Sequence, residues 1–219
     1  DLMLIIPANT LSAEGPTQKA IFAYGQVGGS DLSMSNLVNS SGVIASDVTG
    51  VGTARSYTSA ASYGGDKAIF AGGSTNLGSS VGTGVTNLVS NSGVVASDTS
   101  AVGTAKMGVG GAGYGGDKAI FAYGTTSNYA GIVSTSNLVS NSGVVGSDVS
   151  GVGSARYLTT GASYGEDKAI FAYGYAGGNV SMSNLVSNSG VVASDVSGVG
   201  TARSGGASTS YGEDKAIFG

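Results

Sequence analysis

The sequence predicts an all-β protein built from about five copies of one unit, and three observations support this prediction. Glycine accounts for 40 of the 219 residues but falls at fixed positions between apolar runs, as turn residues do. No stretch sustains the apolar spacing of a helix. A pentamer of Gln or Asp followed by KAIF recurs at residues 18–22, 66–70, 117–121, 167–171 and 214–218. A repeat near 50 residues indicates a solenoid or a propeller of small sheets.

Each unit is predicted to form four short strands. In the unit at residues 56–106, the small residues at 57–63 form the first strand and the apolar run at 67–73 forms the second. The third strand lies at 85–89 and the fourth begins at 94–96. Gly, Asn, Ser and Asp separate these runs, which is typical of an antiparallel propeller blade. Because the second strand is apolar on both faces, we expect it in the middle of its blade, between neighbouring blades.

This order of strands resembles the kelch repeat, in which a hydrophobic strand ends in Gly-Gly (here Gly72 and Gly73) and a basic residue closes the unit. The resemblance covers residues 16–218 in arrangement and period, but the chain lacks the tryptophan usual in the fourth kelch strand. The recurring sequence NLVSNSGVV is also similar to degenerate kelch-like repeats of predicted bacteriophage tail or fibre proteins. The kelch resemblance implies that the first strands line a central channel, at residues 57–63, 107–114, 157–164 and 205–211.

The number of blades is predicted from residue size and from a count of strands. Small residues beside the axis favour four or five blades, because inner strands converge most tightly in a small ring. First and second strands occur five times if residues 8–15 form a degenerate first strand, and residues 2–6 are then assigned to close the last blade. We therefore predict a single-domain, five-bladed kelch-like β-propeller closed by its N-terminal strand, with four blades as the alternative. Its units are residues 8–55, 56–106, 107–156, 157–203 and 204–219, the last completed by 1–7.

The composition excludes most kinds of chemistry. The chain has no Cys and no His, so disulfides, thiolate metal sites and the Ser-His-Asp and Cys-His types of catalysis are excluded. A net charge of −4 argues against nucleic acid and anionic membranes as partners, since clustered Lys and Arg bind both. The longest apolar run, at residues 2–6, is far shorter than the roughly 20 residues that cross a bilayer. We expect no catalytic residues, no metal and no cofactor.

Most charged residues recur at equivalent positions of the repeat. A catalytic site needs groups in different environments, and a set copied into every blade provides none. We interpret the Asp of each SD dipeptide as a turn cap and the basic residue that closes each unit as a partner for a neighbouring blade. A repeated calcium site is the alternative, but one carboxylate per copy is few for calcium. The residues are Asp47, Asp98, Asp148, Asp195, Arg55, Lys106, Arg156 and Arg203.

The loops between the second and third strands differ in every unit. Variable loops on a constant scaffold are where binding function is usually found. Tyr129 and Tyr175 do not recur, and Asn76, Asn128 and Asn179 offer amide hydrogen bonds. These five residues form the predicted ligand-binding face. The alternative is that the loops differ in length without binding anything.

The predicted function is that of a non-enzymatic structural or receptor-facing module in a phage tail or fibre, or in another extracellular surface assembly. Its expected partners are assembly proteins or surface glycans, in an extracellular or virion-associated location. A lectin-type propeller that binds carbohydrate is the alternative. An enzyme is disfavoured, because no acid–base pair stands outside the repeats apart from the scattered Glu14, Glu166 and Glu213. The chain starts at Asp1 and stops within a repeat, as a processed or partial product would.

Overall fold

The computed structural model describes residues 18–76, 81–100, 102–127, 130–212 and 214–219. Every helix or strand in this part of the chain is a β-strand, and the strands form five small antiparallel sheets. The all-β prediction is therefore confirmed. The strands are β1 (Gln18–Val27) and β2 (Ser30–Asn39); β3 (Ser59–Tyr63), β4 (Lys67–Ala71) and β5 (Thr86–Val89); β6 (Gly110–Tyr114), β7 (Lys118–Ala122) and β8 (Ser136–Val139); β9 (Thr160–Tyr164), β10 (Lys168–Tyr175) and β11 (Asn179–Val186); and β12 (Ser208–Tyr211) and β13 (Lys215–Phe218).

The strand containing KAIF is the central strand of the second, third and fourth sheets, in the orders β3-β4-β5, β6-β7-β8 and β9-β10-β11. The first sheet pairs β1 with β2, and the last pairs β12 with β13. The expected strands at residues 2–6 and 8–15 lie outside the described residues. The central position of the KAIF strand agrees with its apolar character on both faces.

The fourth strand of each unit is not a regular strand, which corrects the sequence prediction. In the second sheet this segment meets β5 only through isolated bridges, Val89 to Val95 and Thr86 to Thr99. The bridged positions are three residues apart on β5 but four apart on residues 95–99, which we call the outer segment. In addition, the side-chain amide of Asn87 donates to the carbonyl oxygen of Ala96 at 3.0 Å. A side chain thus occupies an acceptor that a regular ladder would use.

The core lies between neighbouring sheets and is built from the KAIF strands. The phenylalanine is 5% exposed at Phe70, 3% at Phe121 and 0% at Phe171. The ring of Phe171 meets the edge of Tyr123 from the preceding sheet, with ring centroids 5.7 Å apart. Phe22 in the first sheet differs, because 62% of it is exposed.

The inner strands β3, β6, β9 and β12 pack side by side in that order. Backbone hydrogen bonds join them at one end, where Gly108 N donates to Tyr57 O at 3.2 Å and Leu158 N donates to Gly108 O at 2.8 Å. At the other end, Gly64 N donates to Asp117 O at 2.6 Å. The inner strands are therefore tied to their neighbours at both ends.

Small residues are required where these strands meet. A Cβ atom built on Gly161 would lie 2.7 Å from the carbonyl oxygen of Gly111 and 2.7 Å from Cε1 of Phe171. Neither the backbone nor the buried ring can move away freely, so a larger residue would force the two sheets apart.

We expect Gly161→Val to lower the free energy of unfolding by about 2–3 kcal/mol, because overpacking a tight core costs roughly 1–3 kcal/mol. Urea denaturation would measure the loss. Gly178→Ala is the matched control, since a Cβ there has no neighbour within 4 Å. An equal and small effect for both variants would contradict the close approach of the inner strands.

Candidate functional site

A buried arginine joins neighbouring sheets at the end of two of the units. Arg156 has no exposed surface. Its Nε donates to the carbonyl oxygen of Tyr173 at 2.9 Å, and its Nη2 donates to Oδ1 of Asn184 at 2.7 Å. The guanidinium carbon lies 3.9 Å from the ring centroid of Tyr123. Arg55 repeats these contacts at the preceding equivalent interface, with Gly72 O, Asn87 and Tyr24.

The aspartate of the SD dipeptide belongs to the same network. Oδ1 of Asp195 accepts a hydrogen bond from the amide of Asn184 at 2.9 Å. Its Oδ2 accepts from the backbone N of Ser154 at 2.9 Å and from the Ser154 hydroxyl at 2.7 Å. Ser154 belongs to the preceding unit, so this carboxylate caps a segment of a neighbouring sheet. Equivalent bonds link Asp98 to Thr53 and Asp148 to Thr104, while the exposed Asp47 accepts from Asn36 at 2.7 Å.

The asparagine at the centre of this network was not predicted from the sequence. Asn87, Asn137 and Asn184 are buried, and each stands between the basic residue of one unit and the aspartate of the next. The basic residue therefore reaches the carboxylate mainly through an amide. A signal was present, because Asn recurs before Leu-Val in a strand where a polar residue would otherwise be unfavourable.

The interface between the second and third sheets departs from this pattern. Gly72 stands where the first, third and fourth units have tyrosine, and Lys106 stands where they have arginine. Lys106 is 4% exposed, and its Nζ donates to Oδ1 of Asn137 at 2.9 Å. Burial lowers the pKa of the Lys106 ammonium, and the charge of Asp148 partly opposes this shift. Gly72, Lys106 and Phe121 line a cavity of about 30 Å³, next to the position where a tyrosine ring is absent.

Arg203 closes the fourth unit and is only half-buried. Its guanidinium carbon lies 3.6 Å from the ring centroid of Tyr173. Nη2 donates to the carbonyl oxygen of Phe218 at 3.1 Å. The arginine–tyrosine stack thus recurs here, beside the two-stranded last sheet.

The network predicts acid sensitivity. Burial raises the pKa values of Asp98, Asp148 and Asp195, but hydrogen bonds from Ser or Thr and from Asn outweigh it and hold each pKa below its usual range. A carboxylate with a lowered folded pKa stabilises the fold above its unfolded pKa of about 3.9, and this contribution disappears as the pH falls through the folded pKa. We expect a level melting temperature from pH 7 to about 5 and a steep fall below about 4.

A series of thermal melts across this range checks the prediction, with Asp195→Asn as the comparison. That variant should melt lower at pH 7 and lose less stability on acidification. The paired residues Asp66 and Lys67 at the turns are exposed to water, so we expect little from them. An unchanged acid slope in the variant would show that other groups control the transition.

The predicted ligand-binding residues fall on separate parts of the structure. Tyr129 and Asn128 lie outside the described residues. Asn76 is exposed in the loop between β4 and β5. Gly82, later in the same loop, donates from its backbone N to the carbonyl oxygen of Thr126 in the next variable loop at 3.0 Å. These two variable loops are therefore in direct contact.

Tyr175 and Asn179 face each other across the hairpin that joins β10 to β11. Tyr175 is half-buried, with its ring centroid 5.5 Å from that of the buried Tyr157. Oδ1 of the exposed Asn179 accepts a hydrogen bond from Ser204 Oγ at 2.9 Å. The Tyr175 ring therefore contributes to packing as well as to the surface.

Two further residues with unusual backbone geometry were missed. Tyr57 and Leu158 have φ angles of +53° and +51°, and the equivalent positions in the neighbouring units are Gly108 and Gly205. A left-handed conformation costs a residue with a side chain roughly 1–2 kcal/mol, and such strain concentrates at functional sites. Tyr57 is 45% exposed, at the end of the inner strands. An alignment of the units shows this alternation of Gly with a large residue.

The described residues contain no cluster of acidic side chains suited to holding a metal ion. The same part of the chain has no helix with the length and hydropathy needed to cross a membrane.

No protein-family model matches the chain, and no curated protein does. A solved structure titled "Structure of YjhT" is similar, with a TM-score of 0.54 and 15% sequence identity. The match covers 71% of this chain and 49% of that chain. This chain thus spans about half the length of the structure it matches. At this identity, the similarity concerns the fold alone.

Proposed function

We propose that this chain is a five-bladed, kelch-like β-propeller that acts as a non-enzymatic structural or receptor-facing module, in a phage tail or fibre or another extracellular surface assembly. The observation that supports this most is how the recurring charged residues are used. The buried basic residues and the SD aspartates hold one sheet to the next, while the differences in length between units fall in the loops. A rigid frame with variable loops is suited to assembly or recognition.

The packing of the inner strands supports a ring of five sheets. The strands β3, β6, β9 and β12 follow one another in contact. Phe22 of the first sheet lines the same cavity as Tyr57 of the second sheet and Ser208 of the last. Residues of the first, second and last sheets therefore line one cavity, which is what a ring of five sheets would require.

Closure by the N-terminal residues has a direct test, although these residues lie outside those described. Deleting residues 1–7 should lower the free energy of unfolding by about 2–3 kcal/mol, at roughly 25 cal/mol per Å² of apolar surface exposed. Thermal and urea denaturation of the shortened chain would measure this. Unchanged melting would rule out closure by residues 2–6.

A carbohydrate-binding propeller is the second candidate, and the exposed Tyr57 and the hairpin with Tyr175 and Asn179 favour it. Tyrosine rings beside amides and hydroxyls match the apolar faces and polar edges of sugars. Tyr57 also holds a left-handed backbone conformation that glycine adopts at the equivalent positions Gly108 and Gly205, so Tyr57, like Leu158, carries a strain that the glycines avoid.

A glycan array probed with the full chain separates the two candidates. The structural module predicts no sugar-dependent signal. The lectin predicts reproducible binding of one sugar class, and this binding should be lost in Tyr57→Ala or in the Tyr129→Ala/Tyr175→Ala double variant. That result would favour the carbohydrate-binding propeller over the structural module. Because Tyr175 packs on Tyr157, the variants must first be shown to be folded.

A further inference from the structure

We propose that the junction between the second and third sheets binds a small phenol, whose aromatic ring takes the place of a tyrosine side chain that the chain itself supplies at the equivalent junctions. The position concerned is Gly72, where the first, third and fourth units have Tyr24, Tyr123 and Tyr173. This site goes beyond the function proposed above and depends neither on that role nor on closure of the five sheets. It is inferred from the contacts of the three tyrosines.

The three tyrosine rings are held in the same way. The ring of Tyr123 meets the edge of Phe171 with centroids 5.7 Å apart, and the guanidinium carbon of Arg156 lies 3.9 Å from its centroid. The Tyr123 hydroxyl donates to the carbonyl oxygen of Val152 at 3.4 Å. A phenylalanine edge, a cation and a carbonyl oxygen therefore define the site of the ring. The same three contacts recur with Phe70, Arg55 and Val51 around Tyr24, and with Phe218, Arg203 and Val199 around Tyr173.

The partners of the ring are all present at the second–third junction, where the ring itself is absent. The equivalent phenylalanine, basic residue and valine are Phe121, Lys106 and Val102. All three line one cavity together with Gly72. The backbone also has the same conformation, since φ is +67° at Gly72 and +65° at Tyr123. The cavity is therefore the place of a tyrosine ring and not an irregular gap in the packing.

The side chain of Lys106 occupies part of this place. The remaining volume of about 30 Å³ accommodates about two water molecules, so an aromatic ring enters only if Lys106 moves aside. Besides Asn137, its Nζ contacts Thr135 Oγ1 at 3.2 Å and Thr135 O at 3.4 Å, at or beyond the upper end of the usual hydrogen-bond range. A flexible lysine can give up these two contacts and place its ammonium over the ring. Val102 lines the cavity and is 43% exposed, so the ligand enters beside it.

The lining of the cavity indicates a phenol with no large group opposite its hydroxyl. The ring face meets the ammonium of Lys106, the ring lies against Phe121, and the hydroxyl donates to Val102 O, as at the equivalent junctions. The other end of the ring points to Gly72, where a Cβ would lie 2.7 Å from the carbonyl oxygen of Lys106. A bulky substituent at that end would meet the backbone. The ligand is therefore a small phenol and not a tyrosine within a peptide.

Titration of the full chain with phenol, followed by methyl NMR spectra, tests the site directly. We expect saturable shifts of the methyl signals of Val102, Val109 and Val145, which line the cavity. Cyclohexanol has the same hydroxyl and a similar size but no aromatic face, so it should bind about tenfold more weakly or worse. Equal binding of the two alcohols, or no saturable shift with phenol, would overturn the proposal.

N-acetyltyrosine amide separates the two sources of a phenol ring. It carries the same ring on a peptide backbone, and it should bind more weakly than phenol because its backbone would have to lie where Lys106 O closes the cavity. Binding as tight as that of phenol would overturn the assignment to a small phenol, since a tyrosine side chain of another protein would then be the ligand.

Two variants exchange residues between junctions. Tyr123→Gly copies Gly72 into the third–fourth junction, so it should melt at a lower temperature and bind a second phenol molecule. Phenol should therefore raise its melting temperature more than that of the unaltered chain. Gly72→Tyr supplies the ring within the chain and should abolish phenol binding. Undiminished binding in a folded Gly72→Tyr variant would overturn the proposal. If that variant does not fold, Tyr123→Gly decides, because a stoichiometry that does not rise would be equally contrary.

Discussion

Replacing Phe121 by alanine is expected to lower the free energy of unfolding by about 3–5 kcal/mol, as large-to-small changes in packed interiors do. Phe121 is 3% exposed and belongs to one apolar cluster with Tyr63 and Ile69 of the second sheet and Val109 and Val139 of the third. Because the ring lies between two sheets, its loss leaves a cavity that neither sheet can fill alone. Urea denaturation with an unchanged m-value would measure the effect.

Val144→Ala is the control for this prediction. Val144 belongs to the same unit but is 66% exposed, so its replacement should change stability by no more than about 0.5 kcal/mol. A loss below about 1 kcal/mol for Phe121→Ala would mean that the KAIF strand is not the core of the protein. That result would also remove the basis for a propeller.

Replacing Arg156 by methionine should cost about 3–4 kcal/mol, within the range measured when one partner of a buried polar pair is removed. Methionine keeps much of the apolar stem but leaves Tyr173 O and Asn184 Oδ1 without their donors. Asn184 is fully buried, so no water from the surface replaces the lost hydrogen bond without rearrangement.

Two variants calibrate the Arg156 result. Arg156→Lys copies the natural residue Lys106 and should lose less than half as much, since Lys106 reaches the equivalent Asn137 at 2.9 Å. Arg203→Met removes a half-buried arginine that also stacks on tyrosine, so its effect should be smaller than that of Arg156→Met. If all three variants lost the same stability, the cation–π stack would explain the effect better than the buried amide.

The all-β class and the central KAIF strand could be predicted because they depend on local apolar pattern and repetition. The outer segment could not, because its irregular pairing depends on Asn87 bonding to Ala96 O, nine residues later in the chain. The charged residues were assigned to neighbouring sheets without the amide that connects them. Tyr57 was missed for a different reason, since its importance lies in a backbone angle that only comparison with Gly108 and Gly205 reveals.

At the second–third junction, Gly72 and Lys106 stand in place of a tyrosine and an arginine, and this difference affects how the molecule unfolds. In a repeat protein, stability is close to a sum of unit terms and nearest-neighbour coupling terms. The second–third junction lacks the stacked ring and guanidinium found at the third–fourth junction, so its coupling term is expected to be smaller than that of the third–fourth junction. Partial unfolding would then divide the chain near Lys106 into an N-terminal and a C-terminal cooperative unit, and each would exchange its amide protons as a group.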